Sequence, residues 1–398
     1  MPHEPGADRP VGALPARAQV SASLPVFPWD TLVEAKSLAS AHPDGIVDLS
    51  VGTPVDPVAP PIRAALTAAG SAPGYPTTAG TPELRESAVA ALSRRFGVTR
   101  LDATAVLPVI GSKELIAWLP TLLGLSGRDV VAVPELAYPT YEVGARLAGA
   151  QVLRADSLTQ LGPRSPALIY LNSPSNPTGR VLGVEHLRKV IGWARERGCV
   201  VASDECYLGL GWDAGAPGPL SVLHPSVCGG DHTGLLAVHS LSKSSSLAGY
   251  RAGFVAGDPE LVAELLAVRK HAGMMVPTPV QAAMVAALDD DAHERAQRER
   301  YRRRRDALLA ALRAAGFSID HSEAGLYLWA TRAEPCRDTV TRLAARGILV
   351  APGDFYGPRG ARHVRVALTA TDERVAAAVQ RLSQPTPDRG IHGVPQSG

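Results

Sequence analysis

Short apolar runs alternate with longer segments of helical periodicity over most of this chain. The runs fall at residues 105–110, 129–134, 151–155, 167–172, 199–203, 235–239 and 253–256. Each has the length of a buried strand. Between them, residues 81–96, 113–123, 138–148, 183–197 and 259–271 repeat apolar positions at helical spacing. Strand–helix alternation of this kind predicts an α/β layer built on a largely parallel, mixed sheet sandwiched by helices. The pattern changes after about residue 277. A long helix is expected over 278–315, broken near 289–291, then strands at 325–330, 348–351 and 364–367, then a closing helix over 372–382. Residues 29–41 also read as helix and are expected to dock on this smaller α+β unit. The expected organisation is therefore a large domain over 48–276 and a small discontinuous domain from 23–47 and 277–383, which includes the interdomain helix. Residues 1–22 and 384–398 lack periodicity and are expected to be disordered.

Composition narrows the function classes. A chain of 398 residues with 45% hydrophobic content can bury sizeable cores, and its length predicts two domains. The net charge of +2 gives no electrostatic case for nucleic acid. Arg298, Arg300 and the run Arg302 to Arg305 lie in a helical pattern and read as a solvated face. No apolar stretch reaches the roughly 18 residues that span a bilayer, and no signal peptide opens the chain. Cys199, Cys206, Cys228 and Cys336 form no CxxC pair and no zinc-finger spacing. Reduced thiols, no metal and a cytoplasmic location are the expectation.

The candidate chemistry falls where strands are expected to end, which is where α/β sheets gather ligands. Lys243 lies among Ser240, Ser242 and Ser244, with Arg251 eight residues on, in a chain with five lysines and thirty-five arginines. A deprotonated lysine amine forms Schiff bases, whereas a guanidinium does not. This run suits an aldehyde cofactor carrying a phosphate, namely pyridoxal 5'-phosphate, or else an ordinary surface lysine. Gly111-Ser112-Lys113 opens a helix, and its amides suit either a phosphate or a plain N-cap. Asn176-Pro177-Thr178-Gly179 is a turn signal that also presents an amide side chain. Asp204 can pair with a cationic ring nitrogen or cap a helix, and Tyr207 can hydrogen-bond a phenolate oxygen. Tyr138 can stack on a flat ring or pack in the core. Arg365, inside an apolar strand, needs an anion: a substrate carboxylate or a structural partner.

Taken in order, Tyr75, Gly111-Ser112-Lys113, Tyr138, Asn176-Pro177-Thr178-Gly179, Asp204, Tyr207, Lys243, Arg251 and Arg365 resemble the class I/II aminotransferases, the fold-type I pyridoxal-phosphate enzymes. The resemblance covers about residues 24–382. It implies that Lys243 holds the cofactor aldehyde and exchanges a proton at Cα. Asp204 would pair with the pyridine nitrogen, Asn176 and Tyr207 with the 3'-oxygen, and Tyr138 with the ring face. Gly111, Ser112, Lys113, Ser240, Ser242 and Arg251 would hold the phosphate. Tyr75 would reach the phosphate of a neighbouring subunit in a homodimer with shared sites. Arg365, with Gly52 and Asn176 beside it, would hold the substrate α-carboxylate. The implied reaction is ping-pong transamination between an amino acid and a 2-oxo acid.

A finer likeness runs through residues 24–32, 46–60 and from Tyr75 onward. It is to actinobacterial N-succinyldiaminopimelate aminotransferases, which exchange the amine of N-succinyl-LL-2,6-diaminopimelate with 2-oxoglutarate in lysine and diaminopimelate biosynthesis. Residues 26–29 and 353–357 are the candidates for shaping the substrate pocket. An aminotransferase for another amino acid, or a C–S β-lyase on the same scaffold, shares most of these residues. A cofactor-sensing regulator would need a DNA-binding module, and only about two dozen residues precede the match.

Overall fold

A computed structural model describes residues 19–212 and 218–384. Its centre is a seven-stranded sheet in the order Val106–Ile110, Ala252–Gly257, Leu235–Ser240, Val200–Asp204, Leu168–Asn172, Val130–Val133, Gln151–Arg154. The strand Ala252–Gly257 is antiparallel to both its neighbours, and the other pairings are parallel. The sheet is thus mixed and mostly parallel. Side chains alternate between its faces. Val131, Val133, Leu168, Tyr170, Leu236 and Val238 enter one core, whereas Ala132, Ile169, Leu171, Leu235 and Ala237 enter another. Burial on both faces explains why these strands read as unbroken apolar runs. Helices cover both faces, among them Pro82–Phe96 and Val184–Arg195 over one and Ser112–Leu122 and Pro259–Ala272 over the other.

A four-stranded antiparallel sheet forms near the C-terminus, in the order Ala351–Pro352, His363–Ala367, Tyr327–Thr331, Ser318–Asp320. Its core also takes in Leu32, Val47 and Leu49, so residues from both halves of the chain pack together there. The expected strand at 348–351 divides: Ile348–Leu349 pairs in parallel with Val47–Asp48, and Ala351–Pro352 joins the larger sheet. The expected helix at 29–41 also divides, into a 3-10 turn Pro28–Leu32 and an α-helix Val33–Ser40. The long helix breaks at Asp290, whose side chain caps Asp291–Ala314 by accepting from the Ala292 amide. Most residues of the expected terminal tails lie outside the described residues, and Val20–Ser23 forms one 3-10 turn.

The arginine run sits on that long helix and is largely matched by acids. Arg302 and Arg303 pair with Glu299, and buried Arg304 bridges Asp56 and Asp372 at 2.6–2.8 Å. The four cysteines are free thiols. Among the described residues no helix is long and apolar enough to cross a membrane, and no cluster of metal-ligating side chains occurs.

Candidate active site

Several strands of the large sheet end at one cleft. Asp204 is the last residue of its strand, and Ser240 the last of the neighbouring one. Lys243 follows on the short helix Leu241–Ser244. Its Nζ donates to the Gly52 carbonyl, and its own carbonyl accepts from the Tyr301 hydroxyl at 3.2 Å. Burial lowers the Lys243 pKa, the nearby cations Arg365 and Arg251 push the same way, and Tyr327 and Cys206 oppose them. No carboxylate pairs with this ammonium among the described residues. Its environment therefore favours the uncharged, nucleophilic amine.

Asp204 is fully buried, and burial raises its pKa. The Tyr141 hydroxyl donates to it at 2.8 Å, and the Cys206 amide donates at 3.2 Å. These donors oppose the shift without a cation to complete it. A buried carboxylate so placed suits a cationic ligand nitrogen, which would hold it ionised. Tyr141 itself stacks on Tyr170 at 4.8 Å and meets the Tyr138 ring edge-on at 6.0 Å. Burial pushes the Tyr138 hydroxyl up to about 12, so it stays neutral.

The phosphate-sized corner is built on the N-terminus of Ser112–Leu122. Its N-cap, Gly111, makes no side-chain cap, which leaves the first amides available to an anion. Gly111 has φ of 76°, and a Cβ there would lie 2.3 Å from Arg251 Nη2. Only glycine allows the guanidinium so close. Arg251 is exposed and bonds only the nearby Ala248 carbonyl at 2.7 Å. The Ser240 hydroxyl accepts from the Ser242 amide at 3.2 Å, and both serines are buried. Lys113 lies on the solvent side, its Nζ 5.6 Å from the Phe27 ring centroid.

Arg365 lies on the other side of the cleft, buried within the smaller sheet. It donates to Asn176 Oδ1 at 3.0 Å and to the Ser50 carbonyl at 2.7 Å. Its guanidinium lies 3.9 Å from the Tyr327 ring centroid and 5.1 Å from that of Tyr356. Its Nε has no hydrogen-bond partner, and no carboxylate pairs with it among the described residues. Asn176 is held by its amide, which donates to Asn172 Oδ1 at 2.7 Å, while Asn172 Nδ2 donates to the Asp204 carbonyl at 3.0 Å. The Tyr207 and Tyr327 hydroxyls meet at 3.2 Å. A Cβ on Gly52 would lie 2.2 Å from the Tyr327 hydroxyl, so that position must stay bare.

The fold thus gathers Gly52, Gly111, Ser112, Asn176, Asp204, Tyr207, Ser240, Ser242, Lys243, Arg251 and Arg365 around one cleft, with Tyr138 and Lys113 at its rim. Tyr75 stands apart, 97% exposed. Sequence reasoning missed Tyr141, Asn172, Cys206, Tyr327 and Tyr356. Tyr141 lies three residues from Tyr138 and Cys206 between Asp204 and Tyr207, and Tyr327 is a polar tip in an apolar strand. A cavity of about 410 Å³ adjoins the cleft, walled by Phe27, Trp29, Lys36, Lys113 and Tyr138 and reaching Ser50. Trp29 packs on Phe355 at 5.4 Å, so the two segments expected to shape the pocket touch each other.

A mixed sheet ending in this lysine, an uncompensated buried carboxylate and an anion-ready helix start defines a fold-type I, pyridoxal-phosphate-dependent enzyme. The chain belongs to the class I and II aminotransferase family, whose model matches residues 44–382. It is 80% identical to a probable aminotransferase of Mycobacterium tuberculosis over 373 residues, 94% of this chain and 88% of that protein. It is 59% identical to the 4-dedimethylamino-4-oxo-anhydrotetracycline transaminase OxyQ of Streptomyces rimosus over 360 residues, 90% of this chain and 99% of OxyQ. Among solved structures, the N-succinyldiaminopimelate aminotransferase of Mycobacterium tuberculosis superposes with a TM-score of 0.81 at 27% identity, covering 92% of this chain and 99% of that one. Members of the family act on amino acids and keto acids and typically form dimers.

Proposed function

We propose that this aminotransferase moves the amine of N-succinyl-LL-2,6-diaminopimelate to 2-oxoglutarate. The observation that carries an α-amino acid as donor is Arg365: a buried guanidinium whose protein partners are carbonyl oxygens and aromatic rings. A substrate α-carboxylate would complete it. The cavity beside Ser50 supports a long, acidic donor, because Lys36 and Lys113 line it against one carboxylate, Asp48, which already accepts from Ser50, and Phe27 and Trp29 supply apolar walls. The likeness to the N-succinyldiaminopimelate enzyme adds weight.

When bound, the cofactor draws electrons from the substrate Cα. The protein's own groups do the rest. Asp204, held in place by Tyr141, would pair with the ring nitrogen. Asn176, with its Oδ1 taken by Arg365, would offer Nδ2 to the 3'-oxygen together with the Tyr207 hydroxyl. Tyr138 would cover the ring face. The Gly111, Ser112 and Lys113 amides, Ser240, Ser242 and Arg251 would receive the phosphate, and exposed Tyr75 would complete that cradle in the other subunit of a homodimer. Arg365 and the Gly52 segment orient Cα toward Lys243, whose uncharged amine takes and returns the Cα proton.

The relation to OxyQ favours a second reading, in which a polycyclic ketone is the amine acceptor. One experiment separates them. Cofactor-loaded enzyme is mixed with N-succinyl-LL-diaminopimelate alone, and the 2-oxo product is counted. About one product per active site, with the starting spectrum restored by 2-oxoglutarate, is expected. No product from this donor, together with amine transfer from glutamate to a fused-ring ketone, would establish the second reading.

A further inference from the structure

A separate cavity of about 290 Å³ lies behind the Asn172–Asn176 loop. None of Lys243, Asp204, Tyr207 or Arg365 lines it. Its floor is the sheet surface at Ile169 and Leu171, and its walls are Leu158, Leu161, Leu182 and Val190. The space opens to solvent on one side and is lined by both apolar and polar side chains. Its volume is near the lower end of the range ligand sites occupy, roughly 300–1,000 Å³.

Polar groups also line the cavity, among them buried Asn172 and Thr178 and the charged or titratable Asp156, Arg180, His186 and Arg359. Arg359 lies 3.7 Å from Asp156, the one carboxylate of the lining, and also 3.7 Å from Glu135. Arg180 has no carboxylate partner among the described residues, and its side chain is exposed at the opening. His186 stands beside it, half-buried, its pKa lowered by burial and by the Arg180 charge. The mouth therefore presents one unmatched guanidinium and a neutral imidazole above an apolar floor.

We propose that this cavity is a second small-molecule site, for a monocarboxylate with a flat or branched apolar body. The body would lie on Leu171 and Val190, and the carboxylate would take both outer nitrogens of Arg180. Asn172 links the site to the substrate clamp, because it lines this cavity and also positions Asn176, which Arg365 holds.

The probe is 2-naphthoate, titrated calorimetrically into cofactor-loaded enzyme. One saturable site per chain is expected. Arg180→Gln should weaken it about tenfold, the loss of one charge-assisted hydrogen-bond pair. Ala155→Trp, which fills the cavity from its rim, should abolish binding, and the neutral analogue 2-naphthylmethanol should bind no more tightly to wild type than to Arg180→Gln. No saturable binding overturns the proposal. So does binding unchanged in both variants, or binding that Arg365→Lys removes, which would put the probe in the substrate clamp.

Discussion

Four arginines are buried like core residues, Arg269, Arg304, Arg365 and Arg381, and they are not alike. Arg381 spends its donors on the Asp44, Gly45 and Gly347 carbonyls, and the other three differ in their anions. Arg269 meets both oxygens of Glu114 at 3.0 and 3.1 Å, and Arg304 spans Asp56 and Asp372. Each has its anion in the fold. Arg365 is equally buried and has only two carbonyl oxygens and two tyrosine rings. Taking a charge out of water is costly unless it is matched. The first two are matched by the chain itself, so they hold the fold together. The third has no carboxylate of the chain among the described residues, and in the proposed function a substrate carboxylate would supply it.

That contrast breaks first at Arg365. Arg365→Met should lower kcat/KM for any α-amino acid by about 10²–10³-fold, the loss of a desolvated charge-assisted pair, while thermal stability holds or rises. Steady-state kinetics and a melting curve together test this. Arg304→Met should do the reverse. It leaves half-buried Asp56 with only Gln297 and the more distant Arg300 at 3.8 Å, at about 1–3 kcal/mol of stability by denaturant titration, with KM unchanged. If both variants lost activity and stability in parallel, the division between them would be wrong.

A subtler pair lies behind the cleft. Glu205 and His239 are buried with 3.5 Å between Oε2 and Nε2, and neither of these atoms has a hydrogen-bond partner. Burial raises the Glu205 carboxyl to about 7 and lowers the His239 imidazole to about 3, so the two face each other neutral below pH 7. A carboxyl raised on folding stabilises most below its unfolded value, near 4.5. That contribution is lost as pH rises through about 7. The histidine term has the opposite sign and is lost as pH falls from 6.5 toward 3. Glu205→Gln removes only the first. Its melting temperature should therefore gain on wild type by a few degrees between pH 5 and pH 8, and a difference that stays flat with pH would refute the neutral carboxyl.

The same contrast shows what the sequence could and could not reveal. Arg365 was legible because a charge interrupts an apolar run, and Asp204 and Lys243 because they sit where strands stop. The central strands of the large sheet were legible for a related reason: burial on both faces leaves few polar positions to blur them, whereas the half-exposed edge strand Gln151–Arg154 carries polar residues at both ends. Tyr141 was not legible, because its hydroxyl serves Asp204, 63 residues away in sequence. Tyr327 was hidden for the same reason. It is 4% exposed and reads as a core residue, yet it sets the space at Gly52 and covers Arg365. The short strands Ile348–Leu349 and Ala351–Pro352 looked like one run because nothing local marks the point where the chain changes sheets.

The central claim is that Lys243 is the cofactor lysine. Reducing the loaded enzyme with borohydride fixes the cofactor to whichever amine holds it, and peptide mapping then reads the site. The account predicts one pyridoxyl group per chain, on Lys243, where the amine is half-buried and without a carboxylate partner. A label on Lys113, the exposed lysine at the cleft rim, or spread over several lysines, would contradict it.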